Sequence, residues 1–231
     1  MMGLGEVLVP TKQSLYVELE GKNGAHMSRL VGLIEDNSYN YIELAAHMMQ
    51  YAIENHNASK AFWEVSWNDT LMFSPDRLKS TYLIIPMTLE GALIKGGAPE
   101  WFFTFEFPYA SVCPCSAEMT KSAGNGHPHM QRATATVTVQ LDGNLEVVRP
   151  LLERIANAVG LIPVSLMKRE DELAWCQLAN EFNLFVEDAA RVIGDVVDVY
   201  SLPDWVVVCE HEESIHQHNV VAVCRKGGRL S

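Results

Sequence analysis

Four short stretches of the sequence concentrate side chains that bind metals or move protons. They are Cys113 and Cys115 in SVCPCSAEMT, His127 and His129 in GHPHMQR, Glu170, Asp171 and Glu172 in KREDE, and Glu212, Glu213, His216 and His218 in EESIHQH. Thiolate, imidazole and carboxylate together suit zinc, iron or manganese. A structural zinc finger would show a second close Cys or His pair at fixed spacing, so dispersed ligands point to a catalytic centre instead. Each stretch also has a plain structural reading. A Cys-x-Cys at a strand end packs as two small apolar side chains. An acidic helix start is favoured by the helix dipole, and HEESIHQHN between two strands serves as a polar hairpin loop. Spacing alone does not choose between these readings.

The elements that must position these residues are legible from periodicity. VLVPTKQSLYVELEG reads as a strand or hairpin arm, and IELAAHMMQYAIENHN as a helix with Ile42, Ala45, Ala46, Met49 and Ala52 on one face. AFWEVSWNDTLMF and KSTYLIIPMTLEG are strands joined by a turn at Ser74-Pro75-Asp76, and KGGAPE reads as a linker. WFFTFEF is a strand, and ATATVTVQLDGN alternates Ala133, Ala135, Val137, Val139 and Leu141 on one face before an Asp142-Gly143 turn. LEVVRPLLERIANAVG is helical with Pro150 starting or kinking it. REDELAWCQLANEFN and VEDAARVIGDVVDVY follow as helices, and WVVVCEHEES and NVVAVCR close as strands. The fold class is α+β with an antiparallel sheet, and the two halves repeat in architecture without aligning in sequence.

With 231 residues and 48% hydrophobic composition, the chain can bury one large core or two small ones. Its start, MMGLGEVLVPTKQS, has neither the basic opening nor the long apolar run of a secretory signal. No apolar run approaches the roughly 20 residues that span a bilayer, so no membrane partner is expected. The cysteines number five, an odd and scattered set that fits reduced thiols in the cytoplasm. A net charge of −12 disfavours nucleic acid, whose affinity comes mainly from phosphate neutralisation. Any small-anion site must therefore be compact, built from Lys121, Arg132, Lys168, Arg169 or Arg29.

The motifs CPCS, HMQR, KREDE, FVED and ESIHQH occur in the order found in the GTP cyclohydrolases of type IB, and GAHMSRL near the start also resembles that family. The resemblance runs from residue 13 to 225. It implies a tunnelling fold: two tandem T-fold modules, 1–97 and 98–231, with the second carrying most of the active site. It also implies homo-oligomers, a tetramer favoured, with active sites at subunit interfaces. The activity implied is hydrolysis of GTP at purine C8 with release of formate, giving 7,8-dihydroneopterin triphosphate, the first step of folate and pterin synthesis.

Carried over position by position, the resemblance makes Cys113 a metal ligand and Cys115 the active-site thiol. His129 matches the family's active-site histidine and stands near the metal. Glu172 and His216 match further metal ligands, and Glu187 of FVED the carboxylate that anchors guanine. His218 is a second proton carrier. Glu213, Arg132, Lys168, Arg169 and Arg29 fall to substrate binding. One divalent metal per site is expected, Zn, Mn or Fe(II), and C8 hydrolysis needs the strong nucleophile that such an ion generates from water at neutral pH. A carboxylate at Glu187 accepts from guanine N1–H and the exocyclic amine together, a pattern adenine does not offer.

The sequence departs from the family in places. The segment between CPCS and the histidine is longer and offers both His127 and His129 for one role, and Asn219 stands where Asp is common. Three alternatives stay open. One is an archaeal-type Fe(II) enzyme giving a cyclic phosphate of dihydroneopterin. A second is a nitrile reductase on the same fold, which needs no metal and is disfavoured by the His and Glu clusters. The third is a purine-binding T-fold protein without chemistry.

Overall fold

A computed structural model describes residues 10–19, 41–74, 79–124 and 126–228. Arg29 and the GAHMSRL motif, together with Pro75 and Asp76 of the expected turn, lie outside these residues. The elements run β1 (Lys12–Leu19), α1 (Tyr41–His56), β2 (Ala58–Phe73), β3 (Thr81–Ile94), β4 (Glu100–Val112), α2 (Pro114–Ser122), β5 (Met130–Leu141), α3 (Val148–Val159), α4 (Arg169–Ala179), α5 (Val186–Asp198), β6 (Trp205–Glu212) and β7 (Val220–Lys226). The strands form one seven-stranded sheet in chain order, β1 to β7. Pairing is antiparallel in β1/β2, β5/β6 and β6/β7. KGGAPE is the turn between β3 and β4 rather than a linker: Gly97 N–H bonds the Ile94 carbonyl at 2.9 Å.

The chain divides into two compact units. One takes residues 1–68, 87–103 and 140–144. Its helix α1 buries Leu44, Ala45, Met48, Met49, Ala52 and Ile53, which keeps Ala45, Met49 and Ala52 of the expected face but leaves Ile42 and Ala46 only partly buried. The other unit takes residues 69–86, 104–139 and 145–231, and holds all the described site residues.

In this second unit the apolar face of β5 is buried as its alternation requires, at Ala133, Ala135, Val137 and Val139. Helices α3 and α5 cover the core with Leu151, Leu152 and Ile155, and with Ala189, Ile193 and Val197. Full burial of a Leu or Ile side chain contributes about 1.5–3 kcal/mol. Pro150 falls in the first turn of α3, where its missing N–H costs nothing. That helix stops at Gly160, whose φ of +69° is left-handed. The Phe182 ring lies across Gly160, only 2.0 Å from where a Cβ would sit.

A smaller cluster of Val112, Leu161, Leu178 and Ala179 joins the end of β4 to α4, flanked by Ala117, Met130, Trp175 and Phe182. The Trp175 indole donates to the Ile162 carbonyl at 3.0 Å, fixing the ring at its polar end. Helix α2, which periodicity did not reveal, starts directly after Cys113 with a proline in its first turn. None of its residues is buried, so it carries no apolar stripe for sequence reading to find.

Candidate functional site

Cys113 follows the last residue of β4 and caps α2 in an extended conformation, φ −65° and ψ 119°. Its carbonyl accepts the Ala117 N–H at 2.9 Å, and its own N–H donates to the His129 carbonyl at 3.3 Å. His129 is held from two more sides. Its backbone N–H donates to Ser116 Oγ at 3.1 Å, and its Nδ1 lies 3.5 Å from Ser214 Oγ. The CPCS, HMQR and ESIHQH segments therefore meet at one residue, His129, the first through its backbone and the last through its imidazole. His127 is exposed, whereas His129 is partly buried among these contacts.

Beside them lies a buried polar group that motif spacing did not single out. His211, on β6, is 2% exposed, and Gln131, on β5, is 7% exposed. Tyr109 Oη stands 2.9 Å from His211 Nε2, and Gln131 Nε2 stands 3.4 Å from His211 Nδ1 and 3.5 Å from Glu213 Oε1. Burial pushes the His211 imidazole below its ordinary range, while the carboxylates of Glu213 and Glu187 pull in the opposite direction. Burial also raises the Tyr109 phenol, with the Cys209 thiol adding to the effect. Cys209 is itself pushed up to about 11, chiefly by burial, against a hydrogen bond from Tyr109 that lowers it. The one available clue in the sequence was His211 on the inward side of an alternating strand, where a lone polar residue needs partners.

Glu187 is exposed in the first turn of α5, and its field reaches His211 together with that of Glu213. Glu172 is exposed on α4. His216 and His218 are exposed in the β6–β7 loop and stack on one another, ring centroids 5.2 Å apart. Among the described residues, no three His, Cys, Asp or Glu side chains come close enough to hold a metal. Cys113, His129, Glu172 and His216 are thus not closed around a point within one chain. Their donor types nonetheless suit a divalent transition metal, and the Cys113 and His129 segments are tied directly to each other.

Lys168 and Arg169, at the start of α4, are exposed, as is Arg132, opposite Glu212 across β5 and β6. Asp171 takes the backbone N–H of Lys168 at 2.8 Å rather than its ammonium, and none of the three cations enters an ion pair among the described residues. Asn219 has a local explanation: its amide donates to Glu210 at 2.7 Å, which an aspartate could not do. A shallow depression of about 690 Å³ in the first unit, bordered by Glu43, His47, Gln50 and Leu93, contains none of the residues that the motifs single out.

The architecture is shared with uricase from Arthrobacter globiformis, a tunnelling-fold protein: TM-score 0.60 at 8% identity, covering 96% of this chain and 87% of that one. The likeness is one of fold. The model of the GCHY-1 family, described as type I GTP cyclohydrolase folE2, matches residues 5–222, and the chain belongs to that family. Among its relatives are proteins named GTP cyclohydrolase FolE2 from Jannaschia sp. (strain CCS1), 28% identical, and from Roseobacter denitrificans, 29% identical. Each match covers 96% of this chain and 64% of the relative, so the chain spans a little under two thirds of their length. The motifs pointed to type IB; what the comparisons establish is the type I FolE2 family.

Proposed function

We propose that this chain is a metal-dependent GTP cyclohydrolase, hydrolysing GTP at C8 with release of formate and forming 7,8-dihydroneopterin triphosphate for folate and pterin synthesis. The observation that carries the reading is the meeting of three motif segments at His129, through Cys113 N–H, Ser116 Oγ and Ser214 Oγ. Family membership supports the same reaction class.

Cys113, His129, Glu172 and His216 would hold one divalent metal, Zn, Mn or Fe(II), and when bound it would supply a hydrolytic nucleophile at neutral pH. Cys115, exposed in the first turn of α2, faces substrate in this reading. His129 and His218 move protons during ring opening. Glu187 accepts from guanine N1–H and the exocyclic amine, with Glu213 beside it. Lys168, Arg169 and Arg132 take the triphosphate, joined by Arg29 from a neighbouring copy.

We further infer a homo-oligomer, a tetramer favoured, of tandem modules 1–97 and 98–231, with each site completed at an interface. The support is apolar surface around the site residues: Met119 is 66% exposed, Leu166 71%, Leu173 60% and Ile215 61%. A reducing cytoplasm is the compartment inferred, in keeping with free cysteines throughout. No helix among the described residues is long and apolar enough to cross a membrane.

The test is incubation of metal-free protein with GTP and each of Zn, Mn and Fe(II), followed by oxidation and pterin fluorescence. Fluorescence with at least one metal is expected, and none with any metal overturns the assignment. Phosphorus NMR of the product separates the linear triphosphate from a cyclic phosphate.

A further inference from the structure

Tyr109, His211 and Gln131 form a directional hydrogen-bond chain, and its direction follows from the groups at its two ends. A carboxylate only accepts, so the Gln131 amide turns its Nε2 towards Glu213 Oε1, at 3.5 Å. The same Nε2 faces His211 Nδ1 at 3.4 Å, which makes Nδ1 an acceptor and puts the imidazole proton on Nε2. That N–H then donates to Tyr109 Oη at 2.9 Å, which turns the phenol O–H towards a hydrogen bond with the neighbouring Cys209 sulfur. Cys209 is completely buried in β6. The Gln131 Oε1 is buried without a partner among the described residues, so the amide is held by its nitrogen end alone. Both Gln131 contacts are long for hydrogen bonds.

We propose that His211 is a positioning residue: as the neutral Nε2–H tautomer, it holds the Gln131 amide so that Glu213 is presented to substrate as an oriented acceptor. This rests on the cyclohydrolase reading for its consequence, though not for its geometry. Charge on His211 would break the chain, because an imidazolium donates at both nitrogens and cannot accept from Gln131. The groups facing the ring are Tyr109 from β4, Gln131 from β5, Cys209 from its own strand, Glu213 beyond the end of that strand and Glu187 from α5. No cation is among them.

The test separates the two ring nitrogens. In His211→Asn the side-chain oxygen stands where Nδ1 stood and still accepts from Gln131. In His211→Gln the amide reaches the Nε2 position and leaves Nδ1 unreplaced. The KM for GTP should rise about tenfold in His211→Gln with kcat little changed, and should recover towards wild type in His211→Asn. Tyr109→Phe should raise KM more modestly, by freeing the ring to take the other tautomer. Equal kcat losses with depressed melting in all three variants, or wild-type KM in all three, would overturn the positioning role. Wild-type protein inactive on GTP would overturn the cyclohydrolase reading instead. A long-range proton–nitrogen NMR spectrum of wild-type protein reads the His211 tautomer independently of turnover. The Nε2–H form is expected there, and the Nδ1–H form would overturn the proposal.

Discussion

The backbone N–H of Cys113 donates to the His129 carbonyl across 3.3 Å, joining the end of β4 to the entry of β5. All of α2 is looped out between those two residues, with Cys115 in its first turn. The first thiol therefore sits at the end of the central strand of the sheet, while the second rides on an exposed helix. This division fits one cysteine held for a metal and another presented to a substrate.

Cys113→Ala and His216→Ala should lose bound metal and turnover together, since each removes a proposed ligand. Cys115→Ala should keep the metal and lose turnover. Metal content by elemental analysis checks this, and stoichiometric metal in all three variants would remove the ligand assignment.

Glu187→Gln should raise the KM for GTP and narrow its preference over ATP. An amide accepts from one of the two guanine donors and turns its own donor on the other. The loss should be about 2–3 kcal/mol, as for a charge-assisted contact. Steady-state kinetics with both nucleotides measures it, and unchanged values would take Glu187 out of the guanine site.

Neutralising Lys168 and Arg169 together should raise the KM for GTP at least about tenfold, from contacts of about 1.5–3 kcal/mol each. Guanosine binding should barely change, because guanosine carries no phosphate. Equal losses for the two would mean that these residues hold the site together.

Stability should depend on His211 in a defined pH window. Its folded value lies below the ordinary 6.5, so from 6.5 downwards the unfolded chain binds a proton that the folded chain does not. Stability should fall as pH drops through that window, at most about 1.4 kcal/mol per pH unit. Denaturant unfolding from pH 7 downwards should show a shallower slope for His211→Asn. Identical slopes would mean that His211 titrates normally when folded.

Periodicity served well where one face of an element is buried, as with Ala133 to Leu141 on β5 and the inward faces of α3 and α5. It failed at α2, whose residues are all at least partly exposed and whose start depends on Pro114 and the local geometry of Cys113. The motif residues were legible by type and order, but their meeting at His129 comes from strand pairing between segments far apart in sequence. His211 was invisible for a related reason. A histidine in an alternating strand announces only that it points inward, and its partners Tyr109 and Gln131 come from two other strands.

The glycine at the end of α3 has a consequence for reading natural variants of this chain. Gly160 carries no chemistry, yet the space left by its absent side chain seats Phe182, on the connection between the helix bearing Glu172 and the helix bearing Glu187. Any larger residue there meets both a left-handed backbone, costing roughly 1–2 kcal/mol, and an aromatic ring with no room to share. A variant at this position would be expected to look like an active-site lesion in an activity screen while touching none of the reacting groups. Inactive alleles in the population need not map to the motifs at all.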